Sequence, residues 1–336
     1  MRAETAAKRE VLLSVRGLTV EFRIPRGILR AVDNVDLDIY RGEVLGLAGE
    51  SGCGKSVMAH AILNIVDPNG YIKSGKVIFR SSEGEEVDIL SLPREKLRKF
   101  RWSKIAIVFQ GAQNSFNPVI RIRDHFIDTV EDHGVRMSKD ELFEKAARLL
   151  SEVRLDAKQV LHMFPHELSG GMKQRSLIAL SFILGPELII LDEPTSALDV
   201  LTQKFIVRLL RQIHEKTGLT MLFITHDIAV LAEIADRIAI MYLGSMVEIA
   251  DTYEIFYNPL HPYTQALLKT IPSVTGKLED LKPIPGPVPD PVNPPPGCKF
   301  HPRCPYRMDI CTKVRPKLVD VGGGHLVACH RVASRA

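Results

Sequence analysis

Val44-Leu-Gly-Leu-Ala-Gly-Glu-Ser-Gly-Cys-Gly-Lys-Ser56 joins an apolar run to a glycine-rich stretch, Gly49 to Ser56, that fits the pattern G-x-x-x-x-G-K-[ST]. Val44 to Ala48 reads as a buried strand. Ser56-Val-Met-Ala-His-Ala-Ile-Leu63 reads as the helix that follows it. In that context the glycines let backbone N–H groups converge on phosphate oxygens, and the helix turns its positive end toward them. Lys55 is placed to reach the β- and γ-phosphates, and Ser56 to ligate Mg²⁺. The stretch points to a nucleoside triphosphate.

The rest of the chain is consistent with a protein of about two domains. It has 336 residues, 45% of them hydrophobic and 25% charged, ordinary values for a globular protein. The formal net charge of +4 makes no case for nucleic acid as a partner. The opening MRAETAAKRE is polar and lacks the apolar centre of a secretory signal. The most apolar stretch, 176–191, is interrupted by Gly185, Pro186 and Glu187, too soon for a span of ~20 apolar residues. The expectation is a soluble chain that reaches a membrane only through a partner.

Outward from the glycine-rich stretch, periodicity predicts strands at 11–22 and 31–39 and a helix over 138–155. A second helix is expected over 170–184, stopped by Gly185-Pro186, and a third over 200–216. Leu188-Ile-Ile-Leu191 and Thr220-Met-Leu-Phe-Ile224 read as fully buried strands. Residues 239–243 and 245–249 read as a hairpin around Gly244. Strands alternating with helices imply an α/β core built on a parallel sheet. Prolines at 283, 285, 287, 289, 291, 294, 295 and 296 make the next segment an extended, semi-rigid connector rather than helix or central strand. A PxxP-type ligand is the lesser alternative.

Leu188 to Leu191 runs into Asp192-Glu193. A buried strand that delivers a carboxylate at its C-terminal end is how phosphate-loop enzymes place an acid near Mg²⁺. Glu193 beside it is suited to polarise a water. Upstream lies Leu168-Ser-Gly-Gly-Met-Lys-Gln-Arg175, immediately downstream Ser196-Ala-Leu-Asp199, and further on Ile-Thr-His226-Asp227. With these motifs in this order, residues 11–270 resemble the ATP-binding subunits of ABC transporters.

The resemblance implies an ABC ATPase core: a parallel sheet flanked by helices, an antiparallel β subdomain, and a helical subdomain at about 111–175. It also implies roles for single residues. Gly49, Ser51, Gly52, Cys53, Gly54, Lys55, Ser56 and Val57 would wrap the phosphates, and Phe22 or a nearby residue would stack on adenine. Ser56, Gln110 and Asp192 would hold Mg²⁺. Glu193 would be the catalytic carboxylate, assisted by Lys55, Gln110 and the switch histidine His226. Ser169, Gly170 and Gly171 of the signature loop, with Asp199, would complete the site of a second subunit. Cys53 and Lys173 fall at variable positions of their motifs; Cys53 reads as a small loop residue, although a thiol beside helix-N-terminal amides can have a lowered pKa.

Finer resemblance points to the dipeptide and oligopeptide importers, whose relatives carry nickel or oligosaccharides. It rests on Phe109-Gln-Gly-Ala-Gln-Asn-Ser-Phe-Asn-Pro118, on His261-Pro-Tyr-Thr-Gln-Ala-Leu-Leu268, and on the tail; Gly-Ala-Gln at 111–113 departs from the usual residues. This branch implies a homologous second ATPase subunit forming a heterodimer, two transmembrane permease subunits and an extracytoplasmic solute-binding protein. The chain would then sit on the cytoplasmic face of the membrane. A different class, a soluble ABC ATPase acting on ribosomes or DNA, usually shows two cassettes or a large insertion.

After the connector, taken as 271–297, comes a cysteine-rich segment, 298–336. Cys298, Cys304, Cys311 and Cys329 follow C-x5-C-x6-C-x17-C, which favours a metal over disulfides in a chain without a secretion signal. The spacing matches neither the usual zinc pairs nor the ferredoxin run, so it leaves the metal open. The resemblance to dipeptide-importer tails implies a [4Fe–4S] cluster, with zinc as the alternative. Lys299, Arg303, Arg307, Lys313, Arg315 and Lys317 would either offset its charge or form a solvated face. His301, His325 and His330 read as surface residues.

Overall fold

The strand Val44–Ala48 is buried at every position, as expected of an apolar run in a parallel sheet. The computed structural model describes residues 10–111, 115–196, 198–270 and 284–333. Residues 112–114 of the Phe109–Pro118 motif, Ala197, and 271–283 of the connector lie outside them. The chain divides into two units, one holding residues to 79, 88–90 and 224 onward, the other holding 80–87 and 91–223.

In the first unit Val44–Ala48 pairs in parallel with Arg237–Tyr242, Leu45 opposite Arg237 and Ala48 opposite Ile240. Arg237–Tyr242 turns through Gly244 into Ser245–Asp251, an antiparallel hairpin at the expected place. Two charged contacts pin the start of this layer. Asp236 accepts from the Val44 N–H at 2.8 Å. Arg237 meets Glu43 at 3.0 Å, both side chains nearly dry, and its guanidinium lies 4.6 Å from the Tyr40 ring centroid. The helix Lys55–Ile62 follows the glycine-rich loop. A separate antiparallel sheet of the same unit pairs Val11–Ile24 with Gly27–Tyr40 and with Gly70–Arg80. Both hairpin strands have 14 residues, longer than the sequence predicts, because pairing continues to the turn, Arg23 opposite Ile28 and Ile24 opposite Gly27.

The tail extends this unit. Leu326–Val327 pairs antiparallel with Ser245–Asp251, and Val319–Asp320 pairs with Leu326–Val327. The proline-rich residues 284–297 form neither helix nor strand.

In the second unit Ile105–Val108 pairs in parallel with Leu188–Asp192, whose other neighbour is Thr220–Ile224. The helix Lys139–Glu152 starts on a reciprocal cap, with Ser138 Oγ accepting from Glu141 N and Glu141 accepting from Ser138 N. Gly170–Ser181 and Val200–Thr217 are the other long helices expected. Among the described residues no helix is long and apolar enough to cross a membrane.

Candidate functional site

The glycine-rich loop takes the shape its glycines permit. Gly49 has φ +154° and Gly54 φ +103°, and a Cβ on either would lie 2.2 Å from a backbone oxygen, Met241 O for the first and Ala31 O for the second. No other residue type fits there. Lys55 is buried and folds its ammonium onto the loop, donating to Gly49 O at 2.8 Å and Glu50 O at 3.2 Å. The helix Lys55–Ile62 has Gly54 as its N-cap and no side-chain cap, so no side chain of the cap competes for its leading amides. Ser51 and Gly52 are exposed, while Ser56 and Val57 are half-buried at the helix start. Cys53 is buried, and burial pushes its thiol up, with nearby Lys55 only partly offsetting the shift. Burial therefore opposes the lowered thiol pKa that the motif makes conceivable.

His226 belongs to the same unit. It is exposed, between Thr225, whose N–H donates to Leu47 O at 3.2 Å, and Asp227, which caps the helix Ile228–Ile234. Phe22 pairs in register with Gly70, and its ring fills the space that a Cβ there would need, 2.7 Å from Phe22 Cε1.

The second unit brings its own candidates together. Asp192 is buried at the end of its strand, and Glu193 follows at φ +47°, a left-handed conformation uncommon for a non-glycine residue. Such a turn redirects the side chain, and Gln110 Nε2 donates to Glu193 Oε2 at 3.0 Å. Ser169 is the N-cap of Gly170–Ser181, its hydroxyl accepting from Met172 N at 3.3 Å. A Cβ at Gly171 would lie 2.9 Å from Thr202 Cγ2, and Thr202 donates to Asp199 at 2.6 Å. Signature residues and Asp199 thus adjoin through one threonine. The Thr202 hydroxyl is the main cause holding the Asp199 carboxyl below its ordinary pKa.

The four tail cysteines are all free and line one pocket with Phe300, Tyr306 and Met308. Burial pushes the Cys298 thiol up to about 11, and raises Cys304 and Cys329 as well. Among the described residues no three His, Cys, Asp or Glu side chains stand close enough to hold a single metal ion. His301 and His330 each spend a ring nitrogen on a carbonyl, Cys298 O and Val314 O. His325 is not a surface residue: it is buried, 2.7 Å from Glu248. Nor do the basic residues form a solvated face throughout. Lys299 and Arg315 pair with Asp33 at 2.8 and 2.9 Å, and Arg303 pairs with Glu50 of the phosphate loop at 2.8 Å. Sequence reasoning missed these pairs, because nothing local to a lysine or arginine names a partner more than 200 residues away.

Two family profiles match: "ABC transporter" over residues 32–196, and "Oligopeptide/dipeptide transporter, C-terminal region" over 247–311. Among solved structures, a dimeric bacterial ABC transporter cassette, MJ0796, superposes with a TM-score of 0.62 at 28% identity, over 71% of this chain and 98% of that one. The same cassette in a post-hydrolysis state with ADP and Pi gives 0.61. The fold is that of an ABC ATPase cassette. The dipeptide transport ATP-binding protein DppD of Caldanaerobacter subterraneus subsp. tengcongensis is 48% identical over 95% of this chain and 97% of its own length. The oligopeptide transport ATP-binding protein OppD of Escherichia coli is 38% identical over 96% and 94%. The chain belongs to the ATP-binding subunits of the oligopeptide/dipeptide ABC transporter family, not to the ABC ATPases of ribosomes or DNA.

Proposed function

We propose that this subunit hydrolyses ATP to drive peptide import through a membrane complex, with two transmembrane permease subunits above it and a solute-binding protein supplying the peptide. Its ATPase partner is a homologous chain in a heterodimer, and the complex holds it at the cytoplasmic face of the membrane. The observation that carries the reading is the phosphate loop, locked at Gly49 and Gly54 into a form that no side chain permits and leading into an uncapped helix.

Each candidate residue has a task consistent with its surroundings. Gly49 and residues 51–57 wrap the phosphates, and Phe22 stacks on adenine. Lys55 exchanges its loop carbonyls for phosphate oxygens. Ser56, Gln110 and Asp192 offer the oxygen donors that a hard cation such as Mg²⁺ takes. When bound, that ion neutralises charge on the phosphates. Glu193 orients and polarises the attacking water, with Gln110 holding its carboxylate, and His226 contacts the γ-phosphate. Ser169, Gly170, Gly171 and Asp199 serve the nucleotide of the partner subunit. On this reading residues 11–270 form the ABC domain, 271–297 the linker and 298–336 the cysteine-rich module.

The tail is read as a [4Fe–4S] site at Cys298, Cys304, Cys311 and Cys329. Four free thiols around one aromatic-lined pocket suit a cysteine-ligated cluster. When bound, the cluster would tie four chain positions together, the cysteines holding it as thiolates with their protons released to solvent.

Co-expression with the permeases and binding protein tests the whole. ATP-dependent uptake of a labelled dipeptide into vesicles, lost in Lys55→Ala, is expected. Uptake that persists in that variant contradicts the proposal.

A further inference from the structure

Glu50, the second residue of the phosphate loop, is held by every polar group it has. Its N–H donates to Tyr263 Oη at 2.9 Å, and its carbonyl accepts from Cys53 N and from Lys55 Nζ, each at 3.2 Å. Its carboxylate is gripped by the fork of Arg303, at 2.8 and 3.1 Å. Arg303 comes from the tail, in the turn His301–Arg303 directly before Cys304. Its side chain is only 4% exposed. All five of its N–H groups are spent: two on Glu50, the others on Pro285 O at 2.9 Å, Tyr242 Oη at 3.3 Å and Ile284 O at 3.4 Å. Tyr242 and Tyr263 pack on each other and on Phe300, the tail's buried aromatic.

We propose that Arg303 is a positioning residue for the phosphate loop, neutralising and holding Glu50 so that the cysteine-rich tail sets the affinity for ATP. The physical need is plain. A carboxylate within a loop that receives phosphates repels them unless a cation takes up its charge. A bidentate, desolvated guanidinium does so with fixed geometry, which a mobile surface lysine does not. The same fork joins Pro285 and Ile284 of the linker to the loop, so displacement of the tail frees Glu50. This rests on the reading that Gly49 and residues 51–57 bind ATP.

The test uses the full-length chain and a fluorescent ATP analogue, with a thermal melt of every variant. Arg303→Gln keeps hydrogen-bonding groups but removes the charge. It is expected to weaken ATP binding about tenfold, or ~1.4 kcal/mol, and to raise KM for ATP while kcat in the transporter is kept. Arg303→Gln/Glu50→Gln, which removes the repelling charge as well, is expected to return to within about threefold of wild type. Wild-type affinity in a folded Arg303→Gln overturns the inference. So does a folded double variant that stays tenfold weaker, since Arg303 would then be a staple of the fold alone. If Arg303→Gln does not fold, the double variant decides by the same criterion. Failure of the wild-type chain to bind the analogue would instead overturn the phosphate-loop reading itself.

Discussion

Gly54→Ala puts the phosphate loop under the most specific strain the structure offers. The residue sits at φ +103°, and the new Cβ would lie 2.2 Å from the Ala31 carbonyl oxygen and 3.0 Å from Met241 Cε. The methionine methyl can swing away, but the backbone oxygen belongs to the strand Gly27–Tyr40 and cannot. Backbone strain of this kind costs about 1–3 kcal/mol, before the collision is counted. The chain escapes the cost by leaving the binding conformation, and the apparent Kd rises by the inverse of the fraction that remains. At ~1.4 kcal/mol per decade, strain alone gives a loss of roughly 5- to 150-fold in ATP affinity, with the collision moving it to the upper end. Gly52→Ala is the internal control: φ is +77°, yet nothing lies within 4 Å of the added carbon, so only the backbone term applies and the loss is smaller. Titration with a fluorescent ATP analogue measures both, and thermal melts check that both fold. A folded Gly54→Ala chain that binds ATP as the wild type does would mean that the loop does not need a glycine at this position.

Glu43→Ala strands the buried Arg237 guanidinium, and loss of one partner of a buried pair costs about 3–5 kcal/mol, readable as a lower denaturant midpoint. Burial pulls the Glu21 carboxyl up, but bonds from Lys73, Tyr71 and Arg30 outweigh it and set its pKa below the ordinary value. Its stabilisation is therefore present above the unfolded-state pKa of about 4.5 and is lost as pH falls through the lower folded value; Glu21→Gln should flatten the stability curve in that acid range, and an unchanged slope counts against the assignment. Ser169→Arg should lower hydrolysis at the partner's nucleotide in mixed dimers while this chain's own ATP binding is kept. Protein purified without oxygen should contain about four irons and four sulfides per chain, lost in Cys304→Ser; one zinc and no sulfide would make the tail a zinc module.

What could be read from the sequence was what depends on near neighbours. Val44 to Ser56 encodes strand, glycine loop and helix start within 13 residues, and the strand Leu188–Asp192 ends on its two acids where the apolar run stops. The long helices and the hairpin around Gly244 follow from periodicity and turn chemistry in the same way. The left-handed turn at Glu193 was not legible, since a glutamate carries no signal for φ +47°. Nor was the docking of the tail. Arg303 is 253 positions from Glu50, and Arg315 is 282 from Asp33. Arginines and lysines followed by cysteines look alike whether they face solvent, a cluster or a buried acid. His325 was misjudged for the same reason, its partner Glu248 lying on a strand 77 positions earlier.

If Glu193 carries ATP hydrolysis in this subunit, phosphate release by Glu193→Gln in the assembled transporter must reveal it. The variant complex should bind ATP with wild-type affinity and turn over at least about a hundredfold more slowly, the order expected when a group that activates the nucleophile is removed. Turnover at the wild-type rate in a folded, ATP-bound Glu193→Gln complex would contradict it.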